Sequence, residues 1–311
     1  IGKDAYENLG KDKCMSHLLN SPGNFTASKL KWVKENEPEV YEKIYKYMLP
    51  GDFIAYKLTG EIYTTRNGLS EGIIWDYKNN EIANWLLDYY GINPNLTPDL
   101  VDNFTNQGAT NSKSSEETGL NIGIPITYRA GDQPNNALAL NVFDNGEVAA
   151  SGGTSGVIYS ITNDINSKEP SRINHFAHVN YNDNNKSIGK LLCINGAGIQ
   201  YRWLRNHSVG KSYEKMNEAA SSIAVGSEGI SVIPFGNGAE RMLNNKNIGT
   251  HICNINLNQH SHGHLYRSSL EGIAFSFMYG MEILKNDNAL INVVRAGNDN
   301  LFRSKIFANR D

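Results

Sequence analysis

Cysteine is scarce in this chain. Its three residues, Cys14, Cys193 and Cys253, lie far apart, and no CxxC pair occurs. That spacing excludes a disulfide framework and a cysteine zinc site. A reducing cytoplasm is the simplest compartment. No apolar run approaches the ~18 residues that a membrane span needs, and no secretory signal is seen at the start. An excess of basic charge is missing too. The 29 Lys and Arg residues stand against 32 Asp and Glu, for a net charge of −3. The chain therefore lacks the overall positive field that draws nucleic acid or an anionic membrane.

What is present is an ordinary globular composition, 40% hydrophobic and 20% charged over 311 residues. That length is enough for two domains. The chain opens at Ile1 without Met and closes on "FANRD" within the first turns of a helix, so it reads as a fragment.

The first half reads as helices separated by loops. "SKLKWVKENEPEVYEKIYKYM" places Leu30, Val33, Val40, Ile44 and Met48 at helical spacing, interrupted by Pro38. "LPGDFIAYKLTGE" is a helix closed by Gly60, and "EIANWLLDYYGI" one closed by Gly91. "EIYTTRNGLSEGIIWDY" reads as a loop with short extended pieces. "TGLNIGIPITYRAGD" is β-branched and predicts a strand, and "QPNNALALNVF" a helix with Pro134 in its first turn. From Gly146 the grammar changes to strands alternating with Gly turns and helices, which argues an α/β fold. The boundary falls at "FDNG", 143–146, giving domains 1–145 and 146–311.

Several stretches can carry chemistry. "SGGTSG" at 151–156 is a hairpin turn, or a turn whose bare N–H groups and hydroxyls cradle a phosphate. No Lys follows, so it is not a Walker A loop. "NGAGIQYRWLR" at 195–205 places glycines before a helix, which by itself reads first as a tight strand–helix connection and second as a site where free N–H groups can face an anion. "RAGNDNLFR" at 295–303 repeats that pattern. Asp132 in "AGDQ" can cap a helix, and it can also be a general base that takes a proton from a hydroxyl. His260, His262 and His264 in "HSHGH" admit a zinc reading, but no Cys or carboxylate nearby completes a set, and a polar helix entry is simpler. Trp32, Trp75, Trp85 and Trp203 are spread along the chain and read as packing residues.

Taken in order, these segments resemble the FGGY carbohydrate kinases. "KLKWVKENEP" at 29–38 is similar to their Lys-Leu-x-Trp signature, and "LPGDFIAYKLTGE", "AGDQ", "GGTSG", "GAERM" and "HLYRSSLEGIAF" follow in the family order. Within the family the 21–44 stretch looks most like xylulokinases. The resemblance implies an actin-like, ribonuclease-H-like fold of two lobes, both incomplete here, with the sugar-binding lobe at 1–145 and the nucleotide-binding lobe at 146–311. It implies ATP-dependent phosphorylation of a ketopentose, D-xylulose to its 5-phosphate, with ATP and Mg²⁺ required. The partners implied are a small-molecule sugar and ATP, without nucleic acid or membrane, and with a homodimer left open.

By the same resemblance, Asp132 matches the catalytic base and Gln133 a neighbour that binds sugar hydroxyls. Gly153, Thr154 and Ser155 match a phosphate loop, Gly196 and Gln200 the turn and helix that reach the nucleotide, and Gly297 with Asn300 the adenosine-side turn. No residue is assigned as a protein metal ligand. The chain departs from the family at Asn254, where a Gly is usual, at "GAERM", which lacks a Pro, and at Asn24, where some relatives carry an aromatic. The family's Asp-x-Gly-Thr loop would lie before Ile1, so the chain is expected to lack a complete site. Other readings are a kinase for L-ribulose or glycerol, a non-catalytic sugar- or nucleotide-binding relative, and an actin-like ATPase.

Overall fold

The computed structural model describes every residue except 24, 209–211 and 309–311. The Asn24 position therefore lies outside the described residues. The chain divides into two compact units. The first holds Ile1–Asn145, Ile161–Pro170 and Asn174–Gly189; the second holds Gly146–Ser160, Ser171–Ile173 and Lys190–Asp311.

Local punctuation sets the helices of the first unit. Helix α1 spans Thr26–Asn36 and stops at Glu37, whose φ of −134° leaves the helical region ahead of Pro38. A single turn, Pro38–Tyr41, follows, and residues 42–49 are not helical. The predicted apolar stripe is only partly a core stripe: Leu30 is buried, whereas Val40 is 52% exposed. Helix α2, Pro50–Thr59, begins on Pro50, whose missing N–H costs nothing at the first position, and closes on left-handed Gly60. Strand β1, Tyr63–Thr65, pairs parallel with β2, Asp99–Val101.

The stretch after β1 is not the loop its sequence predicts, for it contains helix α3, Arg66–Glu71. The Thr65 side chain caps it by accepting from the Gly68 N–H at 3.1 Å. Two side chains of α3 hold it in place: Asn67 donates to the Ala177 carbonyl, and Ser70 Oγ accepts from the Ala177 N–H at 2.9 Å. Helix α4, Asn84–Tyr90, ends on left-handed Gly91 as its sequence predicts. Leu69, Ile73, Ile74, Trp75, Leu86 and Leu87 form much of the buried core here.

The strand predicted within 118–132 does not form. Its backbone bonds the 107–110 segment through Gln107 N–H to Ile126 O and Thr110 N–H to Ile124 O, but only an isolated bridge, Ala109 to Pro125, results. β-Branched composition favours extended backbone, yet a strand also needs a partner of matching length. Helix α5, Asp132–Ala139, follows; it is shorter than predicted because Asn141 turns left-handed with φ +55°.

In the second unit, strands β3 (Glu147–Gly152) and β4 (Gly156–Thr162) form an antiparallel hairpin with Gly152 opposite Gly156. Strand β5 (Ile188–Ile194) leads to helix α6 (Ala197–His207) and helix α7 (Tyr213–Ser221). Strands β6 (Ser231–Phe235) and β7 (Gly249–Cys253) pair antiparallel. Helix α8, His262–Asn286, is followed by β8, Val293–Ala296. Four strands of a five-stranded sheet run in the order β8-β3-β4-β5, with β8 parallel to β3. The last residues of β4, 161–162, and the first of β5, 188–189, fall in the first unit.

Val148, Ile158, Leu192, Ile194, Leu270 and Ile273 sit at the centre of the second unit's core. Replacing one such Leu or Ile by Ala typically costs about 2–5 kcal/mol. Fully buried Lys190 bonds Asp287, just past the end of α8, at 2.8 Å. Removing either partner alone would strand a buried charge.

Candidate active site

Asp132 is the first helical residue of α5, and Gly131, not Asp132, is the N-cap. Its carboxylate therefore does not perform the capping role its sequence allows. Oδ1 accepts from the adjoining Gln133 N–H at 2.8 Å and Oδ2 from Gln133 Nε2 at 3.2 Å. The residue is exposed, and it lines a cavity of about 310 Å³ with Asp52, Thr65, Glu71 and Arg129. Gln133 Oε1 is buried without a hydrogen-bond partner.

The walls of this cavity come from three helices and the turn before α5. Asp52, buried on α2, accepts from Thr64 Oγ1 at 2.9 Å and from Arg129 Nη1 at 3.2 Å. Arg129 also donates through Nε to Gln107 Oε1 and through Nη1 to the Tyr63 carbonyl. Burial raises the Asp52 carboxyl above its usual range, and the Thr64 and Arg129 contacts offset that. Arg129 Nη2 is buried without a partner on the same wall.

Glu71, the last residue of α3, is the functional candidate that sequence reasoning misses. Burial first, and then the nearby Asp132 charge, push its carboxyl up to about 7, while the Gly131 backbone N–H favours the ionised form. A Cβ on residue 131 would lie 1.9 Å from Glu71 Oε1, so only glycine allows this carboxyl to rest against the turn. The one sequence signal for α3 is its Thr cap.

The second unit carries a larger cavity, about 540 Å³. Gly152, Gly153 and Thr154 of the hairpin turn line it, with Gly198, Tyr201 and Arg202 of α6, Tyr213 and Asn217 of α7, and Asn300 and Arg303 beyond β8. Tyr201 and Tyr213 stack with centroids 5.7 Å apart, and the Arg205 guanidinium lies 4.6 Å from the Tyr213 centroid. Tyr201 donates its hydroxyl to Asn217 Oδ1 at 2.9 Å.

Of the predicted nucleotide residues, Gly153, Thr154 and Asn300 line this cavity, and Ser155, Gly196, Gln200 and Gly297 are not on its lining. Ser155 turns its hydroxyl to Asn195 Oδ1 at 2.7 Å and so anchors the turn. Gly196 has φ +99° and is the N-cap of α6. Gln200 is buried and accepts from Thr250 Oγ1 at 2.8 Å. The Gly297 carbonyl accepts from the Asp299 N–H, closing a turn.

The reading of free N–H groups at the start of α6 is corrected here. Gly198 N–H donates to Gly153 O at 3.0 Å and Ile199 N–H to Thr154 O at 3.1 Å. Those donors clasp the glycine turn instead of facing an anion. The approach is close enough that a Cβ on residue 198 would lie 2.2 Å from Gly153 O.

The other sequence candidates are structural. Ser261 is the N-cap of α8, and His264 Nδ1 accepts from the Ser261 N–H at 3.0 Å, so "HSHGH" is a helix entry. Among the described residues, no group of three or more His, Cys, Asp or Glu side chains could hold a metal ion. Trp75 is fully buried, but Trp32 and Trp203 are about half exposed, against their assignment to packing. No helix among the described residues is long and apolar enough to cross a membrane.

Residues 13–139 match the profile of the FGGY family of carbohydrate kinases, N-terminal domain. That stretch is similar to the N-terminal domain of those kinases. The chain is 26% identical to a xylulose kinase of Staphylococcus xylosus over 294 residues, which cover 94% of this chain and 60% of that protein. A xylulose kinase structure from Rhodospirillum rubrum superposes with a TM-score of 0.85 at 22% identity, covering 98% of this chain and 61% of that one. Plasmodium falciparum glycerol kinase with ADP also reaches 0.85, at 20% identity and the same coverage. The chain thus spans about three fifths of the length of these proteins. Its fold is the α/β actin-like ATPase fold of the FGGY sugar kinases. Asn254 has φ +63°, a left-handed conformation that Asn tolerates better than most residues.

Proposed function

We propose that the whole protein transfers the γ-phosphoryl group of ATP to a hydroxyl of a ketopentose, with D-xylulose yielding D-xylulose 5-phosphate. Asp132 carries this reading: it is a solvent-facing carboxylate at the first position of α5, on the wall of a cavity of about 310 Å³. The sugar hydroxyl oxygen attacks the γ-phosphorus, the bond from that phosphorus to the oxygen of ADP breaks, and the hydroxyl proton passes to Asp132. Such transfer requires positioning and charge stabilisation more than covalent help from the protein. Gln133, beside Asp132, is assigned to hydroxyl recognition through its unpartnered Oε1.

The nucleotide is assigned to the second unit's cavity, with Gly153 and Thr154 at the phosphates and the Tyr201–Tyr213 stack and Asn300 toward the nucleoside. Mg²⁺ would enter with the phosphates, because the described residues offer no carboxylate cage; when bound it neutralises phosphate charge.

The sugar-side cavity favours a neutral polyol over a sugar acid. Its one lining cation, Arg129, is already balanced by Asp52, and Asp132 adds negative charge. The glycerol kinase likeness keeps a shorter polyol as the second reading. The test is Asp132→Ala in full-length protein, assayed for ADP release against a panel of ketopentoses and glycerol. Loss of sugar-dependent turnover by roughly 10²–10⁴-fold is expected. Turnover near the wild-type rate would sink the base assignment, and turnover on none of the panel by the wild type would sink the activity.

A further inference from the structure

The Glu71 carboxyl is placed in two ways that its bland role, a helix C-terminus, does not require. It packs onto the Gly131 peptide, where any side chain at 131 would collide with it. It also shares the 310 Å³ cavity with Asp132 while its Oε1 remains buried and unpartnered. A carboxylate at the end of a helix is disfavoured by the macrodipole, so it gains nothing from that position. Burial first, and then the Asp132 charge, raise the Glu71 carboxyl.

We propose that Glu71 is a positioning residue for Asp132: its carboxyl steadies the Gly131 peptide that launches α5, and its charge sets how strongly Asp132 attracts a proton. The inference rests on the reading of Asp132 as the base. The groups that face Glu71 are Asp52 from α2, Arg129 and Tyr128 from the segment before α5, Asp132 from α5 itself, and Tyr77 beyond α3. Asp52 is compensated by Arg129, and the tyrosines stay neutral because burial pushes both upward. Asp132 is thus the uncompensated charge that Glu71 meets. An ionised Glu71 places a second negative charge in the cavity, which favours taking up the proton of a sugar hydroxyl there.

The test is the pH dependence of kcat/KM for the sugar in full-length protein. Burial holds Glu71 up at about 7, so the wild type should rise about 3–10-fold through an inflection there. Glu71→Gln should be flat from pH 6 to 8, with KM for ATP unchanged, and Glu71→Asp should restore part of the rise. An inflection that survives in Glu71→Gln, or a loss equal at every pH, overturns the proposal. Activity-independent evidence comes from the ¹³C resonance of the Glu71 carboxyl. It should titrate near neutrality and move to lower pH in Asp132→Asn; titration in the ordinary carboxylate range, or no response to that change, also overturns it. If Asp132→Ala abolishes turnover while Glu71→Gln leaves the profile intact, only this inference falls. If Asp132→Ala retains turnover, the base assignment falls first.

Discussion

The two cavities are built by opposite means. In the first unit four charged residues, Asp52, Glu71, Arg129 and Asp132, come together from separate elements, and burial raises the Asp52 and Glu71 carboxyls. In the second unit the glycine turn owes its shape to the absence of side chains. Gly153 and Gly198 bring two backbones close enough for their peptides to bond directly. A charged wall tolerates changes of shape but not of partner. A glycine wall tolerates changes of charge but not an added methyl group.

That contrast can be broken at either end. Beyond the large rate effect expected for Asp132→Ala, the greatest stability effect should come from Arg129→Met. It leaves Asp52 buried without its cation and should cost about 3–5 kcal/mol, read as a fall in denaturation midpoint. Sugar binding should fail with it while ADP binding to the second unit, followed by calorimetry, persists. Loss of both ligands alike would mean that the cavities do not differ in the way described.

Gly198→Val tests the other wall. Its Cβ would meet backbone that cannot swing away, so a cost of about 1–3 kcal/mol and at least ~10-fold weaker ADP binding are expected. The Glu71 titration should be unmoved. Wild-type ADP affinity in this variant would show that the Gly153–Gly198 clasp does not shape the nucleotide side. Ser155→Ala should have the smallest effect, about 1 kcal/mol, because it removes one hydrogen bond to Asn195 and no group on the cavity lining. A loss of ADP affinity beyond ~10-fold would place that hydroxyl at the phosphates instead.

Stability should respond to Glu71 with a definite sign. Its folded-state value lies above the ordinary 4.5, so the folded chain holds more protons between about pH 4.5 and 7. The associated stability is present at low pH and is lost as pH rises through that window. Glu71→Gln should therefore gain relative stability at pH 8 compared with pH 4, which paired denaturation curves would measure.

Much of the local structure was legible. Pro50 and Gly60 bracket α2, Gly91 stops α4, and the "SGGTSG" hairpin and the "HSHGH" helix entry form where their residues predict. These features depend on φ preferences and neighbouring hydrogen bonds, which the chain carries with it. Helix α3 was not legible, because "RNGLSE" shows little apolar periodicity and only its Thr65 cap announces it. With α3 went Glu71. The 118–132 strand failed for the converse reason: its composition was right, but across space it formed only the Ala109–Pro125 bridge.

By itself, then, the sequence determined where the chain turns at Pro50, Gly60 and Gly91, and the order of the recognisable segments along the length. Tertiary structure decided what those residues can do. It carried Glu71 to the Gly131 peptide, spent the first N–H groups of α6 on the glycine turn, and turned Ser155 and Gln200 toward internal partners. Desolvation and close backbone approach depend on what lies across space, and no local pattern of residues encodes them.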